Sequence, residues 1–222
     1  MSDLRLVIFD VDGTLVDSQA DIAGAMRLSF AAAGLPAPTH DDVLSIVGLS
    51  LPEAMRLLHP SGADADIDRL VVGYKDAYMT LRAEIGADQS SPLYPGVRQV
   101  LDDLKARDDV LLALATGKSK RGLDKLIEGH QLHGYFQSQQ VSDFHPSKPN
   151  PSMIFTAMSE CGVDAAQTVM VGDTTFDMDM ARAAKVPGIG VDWGYHPAEM
   201  LGTPHIISHM SQLPGLLPKI WG

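Results

Sequence analysis

The sequence is poor in cysteine: Cys161 is the only one among its 222 residues. An internal disulfide is therefore impossible, and a chain of this kind suits the reducing cytosol. We expect a cytoplasmic protein in which Cys161 is a buried, unreactive thiol rather than a nucleophile.

Basic residues are also scarce. Lysine and arginine together number 17, against 28 aspartate and glutamate residues, and the formal net charge is −11. Nucleic acids and anionic membranes are bound by clusters of positive charge, so we expect neither as a partner. This balance does not exclude a small anionic substrate, because a basic or metal-bearing pocket can lie within an acidic protein.

Long apolar runs are missing as well. A transmembrane helix needs ~20 consecutive apolar residues, and no such stretch is present. The first apolar run stops at Asp10 and follows no basic segment, so we expect no signal peptide. The apolar fraction of 45% is nevertheless sufficient for a sizeable core.

What the sequence does contain is an alternation of short apolar runs and amphipathic segments. Continuous apolar runs of this length indicate strands that are buried on both faces. The predicted strands are Leu4–Phe9, Val110–Ala115, Thr168–Val171 and Gly188–Val191, with Phe136–Val141 as a weaker candidate. The predicted helices between the later strands are Gly96–Arg107, Ser119–Glu128, Pro151–Cys161 and Phe176–Lys185. This alternation predicts an α/β fold, a Rossmann-like parallel sheet with helices on both faces.

The long segment between the first two strands has a different character. It reads as helices separated by turns, namely Asp17–Ala33, Asp41–Val47, Pro52–Leu58 and Asp64–Glu84, with Gln89–Pro92 as a return linker. We therefore predict an all-helical cap at residues 17–90, inserted into a discontinuous α/β core of residues 1–16 and 91–222.

Polar motifs follow several of the predicted strands. They are Asp10–Thr14, Thr116–Lys118, Ser147–Pro149 and Gly172–Asp177. Ligands of open parallel sheets bind beyond the carboxyl ends of the strands, and neighbouring strands are ~4.8 Å apart. We therefore expect these motifs to converge on one small site.

The charges of these motifs predict a site for a metal ion and a phosphoryl group. Asp10 and Asp12 are two residues apart, so in an extended segment their side chains lean to the same side. Together with Asp173 and Asp177 they would place up to four carboxylates in one region, where their repulsion favours a bound divalent cation. Carboxylates are ligands that Mg²⁺ prefers, and Lys148 adds a positive charge suited to phosphate.

A hydroxyl and close backbone amides complete the predicted phosphoryl site. Thr116 offers the hydroxyl, and Gly117 allows main-chain amides to approach a ligand closely. Each motif alone has an ordinary explanation, such as a turn at Asp12-Gly13 or a helix cap at Asp173. Their joint occurrence at successive strand ends favours a common site.

In their order and composition the motifs resemble those of the haloacid dehalogenase superfamily, specifically its phosphatases with a helical, C1-type cap inserted after the first strand. Asp10–Thr14 matches the first motif, Asp-x-Asp-Gly-Thr. Thr116 matches the second, Lys148-Pro149 the third, and Gly172–Asp177 the fourth, Gly-Asp-x-x-x-Asp. The resemblance covers essentially the whole chain, although least firmly the cap. Residues 190–195 resemble the closing strand and loop of phosphoglycolate-phosphatase-like members.

The resemblance implies a role for each matching residue. Asp10 would be the nucleophile that forms an aspartyl-phosphate, and Asp12 the general acid and base. Mg²⁺ would be held by Asp10, the main-chain carbonyl of Asp12, and Asp173. Asp177 would support the site, as an orienting residue or as a ligand through water. Lys148 would link Asp10 to the phosphate.

The remaining site residues are predicted to contact the substrate. Thr116 and Gly117 would bind phosphate oxygens. Gly48 and Ser50 belong to the segment Gly48-Leu49-Ser50, which lies where related capped enzymes carry a specificity loop, although a plain turn between helices explains this segment equally well.

We therefore expect a phosphatase that acts on a small phosphomonoester, with 2-phosphoglycolate as the first candidate, and that is a monomer or homodimer. A phosphomutase resembling β-phosphoglucomutase and a pyrophosphatase are alternatives, as is a non-catalytic metal- or phosphate-binding protein. Leu51 disfavours the mutase, because related mutases carry an arginine there, and Asp12 disfavours mere binding. A dehalogenase needs neither a metal nor a second aspartate.

Overall fold

The computed structural model describes residues 4–222, apart from the side chains at positions 84, 85, 87 and 88, and contains one parallel sheet within that range. The strands are β1 Arg5–Phe9, β2 Val110–Thr116, β3 Ser138–Val141, β4 Thr168–Gly172, β5 Gly188–Val191 and β6 Ile206–Ile207. Their order in the sheet is β3-β2-β1-β4-β5-β6. The predicted α/β fold is confirmed; residues 1–3 of the predicted core lie outside the described residues.

The segment between β1 and β2 is helical. It contains α1 Gln19–Ala32, α2 His40–Leu44, α3 Leu51–Leu58, α4 Asp64–Ile85 and α5 Ala87–Ser90. Buried side chains of the first four helices and the loops between them, including Phe30 and Met55, form a hydrophobic cluster separate from those of the sheet. This separate cluster supports the proposed division into core and cap. The predicted return linker at Gln89–Pro92 was wrong at its start. Its first two residues belong to α5, which ends at Ser90, where the main-chain N donates a helical hydrogen bond to the oxygen of Gly86.

Helices cover both faces of the sheet. They are α6 Val97–Lys105, α7 Lys120–Gly129, α8 Ser152–Cys161, α9 Thr175–Ala184 and α10 Leu213–Trp221. Val7 and Phe9 of β1 pack into one hydrophobic cluster with α6, α7 and α10. Leu6 and Ile8 pack into a second cluster with α8 and α9. Because successive side chains of a strand point to opposite faces, β1 is buried on both sides and its end is held rigidly.

Two elements near the C-terminus were not predicted. Strand β6 has only two residues, and α10 contains Pro218 within its span and a proline at its start. Proline lacks a backbone N–H and normally ends a helix, so the local pattern argued against one. The helix forms because Leu213 and Leu217 are buried against the sheet.

Other features agree with the composition. Among residues 4–222 no helix has the length and apolar character to cross a membrane. Cys161, at the end of α8, is partly buried, and this burial raises the pKa of its thiol, which lowers its reactivity.

Candidate active site

The site lies beyond the carboxyl ends of the central strands, where three loops meet. Asp10 directly follows β1, Asp173 directly follows β4, and Lys148 comes from the loop after β3. The carboxylates of Asp10, Asp173 and Asp177 each offer an oxygen within 4.8 Å of the others. Four residues from three separately predicted motifs are therefore brought together.

Lys148 occupies the centre of this group. Its Nζ lies 2.8 Å from Oδ1 of Asp10 and 2.7 Å from Oδ1 of Asp177, and its side chain is fully buried. The second oxygen of Asp177 accepts hydrogen bonds from the main-chain N and the hydroxyl of Thr174, at 3.1 and 2.7 Å. Thr174 in turn caps the start of α9. Because Oδ1 of Asp177 is paired with the ammonium group of Lys148 and Oδ2 already accepts two hydrogen bonds, the geometry favours an orienting role for this residue over a ligand role.

Asp173 is held by groups from two loops. Its Oδ1 accepts a hydrogen bond from the Thr14 hydroxyl at 2.8 Å, and its Oδ2 from the main-chain N of Tyr195 at 2.9 Å. The two loops that contact Asp173 each have a glycine at the point of contact. A Cβ at Gly13 or at Gly194 would lie 2.1 Å from the Asp173 side chain, so no larger residue fits there. Asp173 is thereby fixed in one orientation.

The pKa values of these groups reflect burial of like charges. Burial raises the pKa of Asp10 to about 7, although Lys148 acts to lower it. Burial, together with the charge of Asp10, also raises the pKa of Asp173 well above its usual range. For Lys148, burial alone would lower the pKa, but Asp10 and Asp177 outweigh it and raise the pKa above its ordinary value.

These residues fit a divalent cation. Three carboxylates face one buried lysine, so a cation with two charges would neutralise the group when all of them are ionised. Oδ2 of Asp10 is buried and has no hydrogen-bond partner among the described residues. A buried carboxylate oxygen without a partner is costly, and a metal ligand position removes that cost. Asp10 and Asp173 are the residues whose carboxylates would hold the ion.

The carboxylate of Asp12 lies outside this three-carboxylate group, so three of the four carboxylates expected in this region meet there. Its oxygens are 2.6 and 2.8 Å from Nζ of Lys118, and Oδ1 also accepts a hydrogen bond from the Ser18 hydroxyl. Asp10 and Asp12 therefore have different partners, since Lys148 lies next to Asp10 and Lys118 next to Asp12. The predicted metal contact of Asp12 through its main-chain carbonyl stays a prediction.

The predicted substrate residues lie where the cap loop meets the core. Thr116 is buried at the end of β2, and its hydroxyl accepts a hydrogen bond from the main-chain N of Lys118 at 3.2 Å. Main-chain N of Ser50 donates to the hydroxyl of Ser147, beside Lys148, at 2.8 Å. Gly48, at φ +103°, packs near Thr174. The loop at residues 48–50 thus contacts the strand ends directly.

Several residues around the site were not predicted to act there. Lys118 belongs to the motif after β2, and Thr14 to the motif after β1, but neither was given a role. Gly194 and Tyr195 lie in the segment that suggested a subgroup. Ser18, between the core and α1, carried no signal at all. Lys118, Thr14, Gly194 and Tyr195 lie in segments that the sequence analysis had singled out, so they could have been considered. Their contacts, however, depend on distant parts of the chain.

A substitution at Gly117 tests whether the close contact between the cap loop at residues 48–50 and the core matters for activity. A Cβ at this position would lie 2.5 and 2.6 Å from the main-chain oxygens of Gly48 and Leu49. We expect Gly117→Ala to push the cap loop away and to lower kcat/KM by about tenfold or more, equivalent to ~1–3 kcal/mol of overpacking. Steady-state kinetics with a phosphomonoester would measure this.

The control for Gly117→Ala is Gly215→Ala, since a Cβ at Gly215 would have no heavy atom within 4 Å. Equal kcat/KM for both variants and the wild type would contradict a functional contact between the loop and Gly117.

A parallel sheet covered on both faces, with a buried Asp–Lys–Asp cluster at its strand ends and helices inserted after β1, is the arrangement that the sequence motifs predicted. The chain matches the family model for haloacid dehalogenase-like hydrolases over residues 7–191. The protein therefore belongs to the haloacid dehalogenase-like hydrolases, as the sequence motifs predicted.

Curated relatives extend over most of the chain. It is 36% identical to phosphoglycolate phosphatase of Agrobacterium fabrum over 201 residues, covering 88% of this chain and 84% of that protein. It is 34% identical to phosphoglycolate phosphatase of Caulobacter vibrioides over 215 residues, covering 94% and 88% of the two chains.

Solved structures agree on the fold. A hydrolase from Pseudomonas syringae superposes with a TM-score of 0.85 at 22% identity, covering 98% of this chain and 100% of that one. A haloacid dehalogenase-like hydrolase from Streptococcus pneumoniae gives a TM-score of 0.81 at 22% identity, covering 97% and 99%.

Proposed function

We propose that this protein is a magnesium-dependent phosphatase that hydrolyses a small phosphomonoester through an aspartyl-phosphate on Asp10. The observation that carries the proposal is the buried cluster at the strand ends. Oδ1 of Asp10 lies 2.8 Å from the ammonium group of Lys148. The Asp10 carboxylate also has an oxygen within 4.8 Å of carboxylate oxygens of Asp173 and Asp177. A nucleophilic carboxylate next to a fixed cation, with further carboxylates that could hold a metal ion, suits attack on a phosphoryl group.

In the first step, a carboxylate oxygen of Asp10 attacks phosphorus and the ester P–O bond breaks. Asp12, which enters this step in its protonated form, gives its proton to the leaving oxygen. In the second step, Asp12 takes a proton from water, the water oxygen attacks phosphorus, and the bond between Asp10 and phosphorus breaks. Inorganic phosphate leaves, and both aspartates return to their starting states.

Other residues of the cluster hold the reacting groups in place. Lys148 orients Asp10 and contributes positive charge next to the phosphoryl oxygens, while Asp177 fixes Lys148. Thr116 and the amide of Gly117 stand at the end of the neighbouring strand, where they can donate to phosphoryl oxygens. When bound by Asp10 and Asp173, Mg²⁺ supplies charge neutralisation for the phosphoryl group.

We propose 2-phosphoglycolate as the first candidate substrate. Support comes from two curated relatives that carry the name phosphoglycolate phosphatase and match most of this chain. The cap loop supports a small leaving group, because the main-chain oxygens of Gly48 and Leu49 approach Gly117 too closely to admit even an added Cβ.

The first experiment is a phosphate-release assay with p-nitrophenyl phosphate, 2-phosphoglycolate, a hexose phosphate and pyrophosphate, with Mg²⁺ or with EDTA. We expect release from the monoesters with Mg²⁺ and a loss to below ~1% in EDTA, restored when Mg²⁺ is added back. Full activity in EDTA would contradict the metal-dependent mechanism. No release from any monoester by folded protein would contradict the phosphatase function itself.

Magnesium affinity should depend on pH. An acid that holds its proton up to pH about 7, as Asp10 does without metal, must lose that proton before it can bind a cation. We therefore expect the Kd for Mg²⁺ to be about tenfold weaker at pH 6 than at pH 8. Isothermal titration calorimetry would measure it, with Asp10→Asn as the control in which the Asp10 proton no longer contributes to the dependence. A Kd that is equal at both pH values in the wild type would contradict the expectation.

A further inference from the structure

The surroundings of Asp12 set it apart from the other aspartates of the site. Nζ of Lys118 lies 2.6 Å from Oδ1 and 2.8 Å from Oδ2, so one ammonium group contacts both carboxylate oxygens. Ser18 adds a hydroxyl donor to Oδ1. A carboxylate held at both oxygens has a fixed rotamer, because turning it would break two charge-assisted hydrogen bonds.

Lys118 is itself fixed, both in its side chain and in its main chain. Its side chain is 8% exposed, and its Nζ lies 3.4 Å from the hydroxyl of Tyr78 and 5.4 Å from the centre of that ring. Its main-chain N donates to the Thr116 hydroxyl, and its main-chain oxygen accepts from the main-chain N of Ser142 at 3.2 Å. The ammonium group therefore reaches Asp12 from a main chain tied to the ends of two strands.

The position of this pair suggests what it does. Asp12 lies just after β1 and Tyr78 lies on α4, so Lys118 bridges the loop that carries the catalytic residues and a helix of the cap. The leaving group of a substrate must lie between the phosphoryl site and the cap. A carboxylate on that side can reach the leaving oxygen, whereas one turned towards Asp10 would compete for the metal.

We propose that Lys118 is a positioning residue that holds the carboxylate of Asp12 on the cap side of the site for proton transfer. This inference rests on the proposed function. Lys118 acts through Asp12 and has no other part in the reaction, so its contribution exists only while the carboxylate is present.

The test is a double-mutant cycle on phosphate release from 2-phosphoglycolate and p-nitrophenyl phosphate, with Lys118→Met, Asp12→Asn and the combined variant. A misplacement of about 1 Å can cost 10²-fold in rate, so we expect Lys118→Met to lower kcat by about 10²-fold and to change KM by less than about threefold. In the Asp12→Asn background the same substitution should have almost no further effect. Lys118→Arg should regain at least about tenfold of the loss, because it restores the charge.

Folding is monitored by thermal melting of all variants. If Lys118→Met does not fold, Lys118→Arg and the combined variant, in which both charges are absent, carry the test. A combined variant much slower than Asp12→Asn alone, or a KM that rises with the loss of Lys118, would overturn the proposal and make Lys118 a substrate-binding residue. A wild-type protein that releases no phosphate would instead overturn the proposed function and, with it, any role in that reaction.

Discussion

Asp10→Asn should abolish phosphate release, with a loss of at least about 10⁴-fold in kcat. Asparagine keeps the shape of the side chain but cannot attack phosphorus as a carboxylate does, and removal of a nucleophile is among the largest single-residue losses in enzymes. Phosphate release under saturating Mg²⁺ and substrate would measure kcat. Mass spectrometry of protein mixed with substrate should show an added phosphoryl group on the wild type alone.

The fold of Asp10→Asn should be intact. An acid whose pKa is raised from 3.8 to about 7 by folding becomes a growing cost to stability as the pH rises through this range, because ionisation is opposed by burial. At pH 8 in EDTA, Asp10→Asn should therefore be at least as stable as the wild type.

The matched control for Asp10→Asn is Asp103→Asn, which makes the same chemical change at an exposed position of α6. The control should keep its kcat. Activity in Asp10→Asn near that of the control would exclude Asp10 as the nucleophile.

Lys148→Met should have the largest effect on stability. It removes the fully buried ammonium group that lies 2.8 Å from Asp10 and 2.7 Å from Asp177, leaving two buried carboxylates without their common partner. Breaking a buried ion pair in this way costs ~3–5 kcal/mol, so we expect the free energy of unfolding at pH 8 to fall by about that amount. Urea-induced unfolding in EDTA, followed by circular dichroism, would measure it. We expect kcat to fall by about 10²–10³-fold as well.

Two further variants separate this effect from a general loss of charge. Lys120→Met removes the lysine of an exposed pair with Asp124 and should change stability by less than ~1 kcal/mol. Adding Asp177→Asn to Lys148→Met removes one of the two buried carboxylates that have lost their lysine partner, and should recover part of the lost stability. If Lys148→Met is no less stable than Lys120→Met, the buried triad does not stabilise the fold.

The membership of the site could be predicted because its residues directly follow buried strands. Asp10 and Asp173 come after β1 and β4, which are neighbours in the sheet, so their convergence follows from the strand order. The orientation of the side chains could not be predicted in the same way. The expected common direction of Asp10 and Asp12 rested on extended backbone alone, whereas the two side chains are paired with different lysines, Lys148 and Lys118, that come from distant loops.

The cap shows a similar limit. Its helices could be predicted from their pattern, and α4 begins at Asp64 as expected, because acidic residues favour that end of a helix. The contact between the cap loop and Gly117 could not, because it depends on how two separately packed hydrophobic clusters meet. Sequence patterns report which face of a helix is buried but not which distant loop covers it.

The central position of β1 also constrains how the chain acquires its structure. Val7 of this strand pairs with Leu112 on one side and with Val169 on the other, partners that are synthesised much later. Pairings between residues so distant in sequence are slow to form, because a large loss of chain entropy precedes the gain from contact. A nascent chain emerging from the ribosome therefore carries Asp10, the proposed nucleophile, early but cannot bury it in the site until β4 has been made. Truncated translation products would have an exposed apolar strand and no hydrolase activity.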